Sequence, residues 1–125
     1  MVSTAEIPEL LKKVRQFANK HCMFDVLEKV SSTREASFFG KQVNLKTQDL
    51  FFWNARRYTL AEHGIKLPGL NEFLDKIASN NDDKIITQII LNIDDNSYLY
   101  CFLEEDSVYG VFIKEKRKYD SKFPS

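Results

Sequence analysis

Two cysteines, four glycines, three prolines and two histidines in 125 residues leave several kinds of protein out of reach. Cys22 and Cys101 could form at most one bridge, so this is no disulfide-built scaffold. Each is read as a thiol filling a small core site, in a reducing compartment. The glycines form neither a phosphate-cradling loop nor a dinucleotide fingerprint, which argues against nucleotide binding of those kinds. No apolar run approaches the ~18–20 residues that cross a bilayer. Residues 1–8 carry no basic stretch ahead of an apolar run, so no signal peptide is expected and the cytoplasm is the expected compartment. Nor does one sign of charge dominate: 18 basic residues balance 18 acidic ones, and no global field points to a nucleic acid or a membrane.

What is present suits one packed domain. Hydrophobic residues make up 43% of the chain and charged residues 29%, a balance that excludes disorder. Ten phenylalanines supply much of a core. A chain of this length buries roughly two-thirds of its unfolded surface, enough to fold without a metal or a bridge.

Ser3 and Glu6 have capping-box spacing ahead of a helix that begins between Thr4 and Ile7, with Pro8 in its first turn. Its stripe is Ile7, Leu10, Leu11, Val14, Phe17 and Ala18. A break at residues 19–21 precedes a shorter helix through Met23, Phe24, Val26, Leu27 and Val30, ended by Ser31-Ser32-Thr33. Residues 36–45 read as a strand with a bulge at Gly40. Residues 47–63 are read as a buried helix closed by Gly64, rather than as strands at 50–53 and 57–60. A turn at Pro68-Gly69, a short helix from Leu70 to Ala78 and a loop at residues 80–83 follow.

Residues 84–93, 97–104 and 108–116 are rich in Ile, Tyr, Phe and Val and read as a three-stranded antiparallel meander. Two-residue turns centred on Asp95-Asn96 and Glu105-Asp106 would set Ile93 opposite Tyr98 and Phe102 opposite Tyr109. One face then carries Ile85, Ile89, Leu91, Ile93, Tyr98, Tyr100, Phe102, Tyr109, Val111 and Ile113. The other carries Ile86, Ile90, Leu99, Cys101, Leu103, Val108 and Phe112. Both are too apolar for water, so helices or a partner must cover them; a homodimer through an uncovered face is one solution. Charges at Lys114 to Arg117 would guard the last strand as an exposed edge, and residues 117–125 form a polar tail. The fold class is α+β: N-terminal helices, then a C-terminal antiparallel sheet of three or four strands.

Catalytic and metal-binding patterns are sparse. His21-Cys22 and Glu62-His63 are the only metal candidates, and neighbours on a helix diverge by about a hundred degrees, so no metal or cofactor is expected. The histidines are read as helix C-terminal residues. A ribonuclease using His21 and His63 is the enzymatic alternative. Nucleic-acid binding would draw on Arg56-Arg57 with Trp53 and Tyr58, or on Lys114, Lys116, Arg117 and Lys118, a modest patch on a neutral chain.

The charge layout is more informative. Between residues 82 and 106 lie seven acidic side chains and one base, Lys84. The meander gathers Asp82, Asp83, Glu104, Glu105 and Asp106 at one end of the sheet and Asp94-Asp95 at the other. Solvated turns explain such charges in most proteins. An acidic rim beside aromatics is also how a small inhibitor engages a basic enzyme. The expectation is a non-catalytic protein-binding module of the immunity or antitoxin type, occluding a basic partner such as a nuclease.

Overall fold

A computed structural model describes residues 6–34, 37–46, 70–78 and 84–116. Ser3, the 47–69 segment, the loop before Lys84 and the 117–125 tail lie outside the described residues, and so do the readings made of them. The order is α1 (Ile7–Lys20), α2 (Phe24–Ser32), β1 (Phe39–Lys46), α3 (Leu70–Ala78), β2 (Ile85–Asn92), β3 (Ser97–Glu104) and β4 (Ser107–Glu115). The strands form one antiparallel sheet in sequence order. The fold is α+β, with N-terminal helices ahead of the sheet.

α1 forms where the 3.6-residue stripe and an early proline require it. Ile7, Leu10, Leu11, Val14 and Ala18 are buried. Its N-cap is Glu6, whose side chain makes no capping bond. Pro8 instead fixes the first turn, where its missing N–H leaves no orphan donor. The helix ends at the expected break, and the structure closes it with a Schellman motif. Met23 N–H donates to Ala18 O at 2.8 Å and Cys22 N–H to Asn19 O at 3.3 Å. Cys22 takes the left-handed position, φ 55°. That position faces outward, so Cys22 is exposed rather than in the core.

α2 buries Val26 and Val30, and Thr33 Oγ1 donates to Lys29 O at 2.8 Å to close its last turn. The two helices cover one face of the sheet, burying Ile89, Leu91, Ile93, Leu99, Cys101, Val111 and Ile113. On the other face Phe73 and Leu74 of α3 belong to one cluster with Ile86, Ile90, Tyr98, Tyr100, Phe102, Tyr109 and Phe112. Among the described residues, helices of the chain itself pack on both apolar faces, and Ile85 at the start of β2 stays exposed.

Register is where structure and expectation part. The β2–β3 connection holds three residues, Asp94-Asp95-Asn96, not two. Ile93 N–H donates to Ser97 O, and Asn92, not Ile93, faces Tyr98. A one-residue slip moves a strand's side chains to the opposite face. Leu99, Cys101 and Leu103 therefore join Ile89 and Leu91 beneath α1 and α2, while Tyr98, Tyr100 and Phe102 turn toward α3.

The β3–β4 turn is the two-residue turn expected, with Glu104 opposite Ser107. A bulge follows at once: Leu103 faces Val108, but Phe102 faces Gly110 instead of Tyr109. The extra residue reverses the alternation a second time and returns Val111 and Ile113 to the face of Ile89. No bulge forms at Gly40, because β1 pairs with β2 without a break from Phe39 to Lys46.

The bulge places Tyr109 and Gly110 side by side beneath α3. Phe73 stacks on Phe102 at 4.1 Å between centroids and meets Tyr109 edge-on at 5.9 Å. Tyr109 OH donates to Lys76 O at 3.2 Å. A Cβ on Gly110 would fall within 3.0 Å of three Phe73 atoms, so only glycine lets that ring sit against the strand.

Two outcomes follow from this packing. Gly110→Ala should lower stability by ~1–3 kcal/mol in urea unfolding through overpacking, and Phe73→Leu in the same chain should recover part of the loss. In the folded protein an alkylating reagent should label Cys22 alone, because Cys101 is fully buried and burial raises its thiol pKa. Mass spectrometry before and after denaturation reads both sites.

Candidate functional site

The β3–β4 turn is acidic because the chain places Glu104, Glu105 and Asp106 at the tightest reversal of the sheet. Glu105 occupies a left-handed conformation, φ 57°, which a two-residue hairpin requires at its first central residue. Asparagine or glycine holds that conformation at lower cost. Both Glu105 and Asp106 are exposed. Glu104 differs: its Oε1 accepts from Lys84 Nζ at 2.9 Å, which ties the end of β3 to the start of β2. Asp82 and Asp83, the other two members of the expected rim, lie outside the described residues.

The turn is met by the N-terminal half of α1. Between them opens a groove of about 520 Å³, lined by Glu6, Glu9 and Lys13 from the helix and by Glu105 and Asp106 from the turn. Leu10, Ile89 and Leu103 form its apolar floor, with Gln42 and Thr87 along the β1–β2 side. A second recess of about 360 Å³ continues along α1, where Lys13, Gln16, Phe17 and Lys20 face Asp106, Ser107 and Val108. Sequence reasoning missed the helical half of this groove. The signal was there: Glu6, Glu9 and Lys13 recur at three and four positions, beside the apolar stripe. Acids in a first helical turn read simply as complements to the helix dipole.

The opposite end of the sheet is internally neutralised. Asp94 Oδ1 accepts from Asn96 N–H at 2.7 Å, and its Oδ2 lies 2.9 Å from Lys29 Nζ. Burial raises the Asp94 pKa, but the Lys29 bond and charge and the N–H groups of Asn96 and Ser97 outweigh it and hold the carboxyl below its ordinary value. Lys116 Nζ donates to Asp94 O at 2.7 Å and to Asn92 Oδ1, and lies 4.7 Å from the Tyr98 ring centre. Lys116 is therefore bound to the β2–β3 loop instead of forming a free basic edge.

His21 is exposed at the C-cap of α1, its ring 4.3 Å from that of Phe17. His63 lies outside the described residues, as do Trp53, Arg56, Arg57, Tyr58, Arg117 and Lys118. Among the described residues no group of three or more His, Cys, Asp or Glu side chains is placed to hold a metal, and no helix is long and apolar enough to cross a membrane. No family model, curated protein or solved structure matches the chain.

The Asp94 pair sets a pH dependence. A carboxyl held below its unfolded pKa of 3.8 stabilises the fold above that pH, and the contribution is lost as pH falls through the folded value. Asp94→Asn should cost ~0.2–1 kcal/mol at pH 7, the range for a part-exposed pair. The gap between variant and wild type in urea unfolding should stay level down to about pH 4 and narrow below it.

Proposed function

We propose that this chain is a non-catalytic protein-binding module acting in the cytoplasm, an immunity- or antitoxin-type inhibitor that occludes a basic partner such as a nuclease toxin. The observation that carries the reading is the pair Glu105 and Asp106: two exposed carboxylates on a two-residue turn, facing Glu6 and Glu9 across an open groove. Charges fixed on short, ordered backbone keep their field pointed outward, and such a field steers an oppositely charged partner into place. Glu104 belongs to the same turn but spends its charge on Lys84, so it serves the sheet more than the rim. Two free thiols suit a reducing compartment.

The test compares wild type with a chain carrying Glu105→Lys and Asp106→Lys. Both sites are exposed, so stability should change by no more than about 0.5 kcal/mol. Association with the partner recovered by pull-down should slow by ~10-fold or more at low ionic strength, and the difference should vanish in high salt. Equal rates at low salt would return these carboxylates to the role of solvated turn residues.

A further inference from the structure

The groove between α1 and the β3–β4 turn has the shape and charge of a receptor for one particular side chain. Its lining holds four carboxylates, Glu6, Glu9, Glu105 and Asp106, against a single cation, Lys13. Among the described residues none of the four is in an ion pair, whereas Glu104 and Asp94 each have a lysine at 2.9 Å. Beneath the carboxylates the floor is apolar: Leu10 and Ile89 are buried, and Leu103 is half-buried. A rim of negative charge over an apolar floor matches an amphipathic cation, whose methylene stem lies on the floor while its charged head meets the rim. A bare metal ion gains nothing from the floor, and an anion is repelled by the rim.

We infer that this groove takes an arginine or lysine side chain from an extended basic segment of the protein partner. The inference rests on the proposed function and names the contact within it. Arginine suits the site better than lysine, since a planar guanidinium can bridge two carboxylates at once. Lys13, half-buried in the same lining, occupies the rim as an internal competitor for those charges. Removing it should therefore strengthen binding, an outcome that a merely solvated acidic turn does not produce.

The probe is an acetylated, amidated Arg-Gly-Arg peptide, titrated into ¹⁵N-labelled protein at low salt, with Glu-Gly-Glu as control. Saturable shifts should concentrate on Leu10, Gln42, Thr87, Leu103 and the turn at Glu105. Glu105→Gln with Asp106→Asn should weaken binding by ~3–10-fold, and Lys13→Gln should tighten it by ~2–5-fold, as expected of part-exposed charge pairs. Shifts centred on Asp94-Asp95, shifts spread evenly over the surface, no saturable shift, or weaker binding by Lys13→Gln would each overturn the inference. The two readings fail separately. A partner steered by Glu105 and Asp106 alongside a peptide that misses the groove sinks only the groove assignment. A peptide seated in the groove with equal partner rates sinks only the inhibitor reading.

Discussion

Asp94 accepts the amide of Asn96, faces Lys29 of α2 and lends its carbonyl to Lys116, three contacts that fasten the three-residue β2–β3 loop. Loop length decides the pairing of β3, and the pairing decides which half of β3 meets which helices. With three residues in the loop, the small and aliphatic half, Leu99, Cys101 and Leu103, lies under α1 and α2. The large aromatic half, Tyr98, Tyr100 and Phe102, lies on the opposite face, in the cluster of Phe73 and Leu74. A two-residue loop would exchange those sets and press three rings against helices whose buried residues are Ile, Leu, Val and Ala.

The bulge at Tyr109 and Gly110 is the counterpart of that choice. Once β3 has turned its aromatics toward α3, β4 needs a place for the Phe73 ring to approach its backbone. The bulge supplies it by setting a glycine beside Phe102. Tyr109 then closes the rim of the pocket through Lys76, with its hydroxyl on the carbonyl and the ammonium 4.3 Å from the ring centre. The stacked rings Phe73–Phe102 and Tyr100–Phe112 are thus the consequence of two irregularities in an otherwise regular ladder.

The elements themselves were legible because each is written in local periodicity: the stripe of α1, the three β-branched and aromatic runs, the acidic punctuation between them. What local pattern could not show was register. Both deviations are held by residues far along the chain, Lys29 on Asp94 and Phe73 over Gly110. Cys22 was misread for a related reason, since a left-handed helix end points outward whatever residue occupies it. Of the candidate site, the turn carboxylates were visible as a charge cluster. Their partners Glu6 and Glu9 were not, because only the packing of α1 across the sheet brings them opposite Glu105.

The sheet's connectivity also orders its assembly in time. β2, β3 and β4 are joined by loops of three and two residues, and hairpins of that kind zip in about 1–10 μs. β1 is different. Phe39 pairs with Asn92 and Lys46 with Ile85, so the stretch from 47 to 84, α3 included, must close before β1 can dock. On loop length alone the three C-terminal strands should pair with one another before β1 docks. The wall of the groove that contains Gln42 should therefore be the last part of the sheet to form.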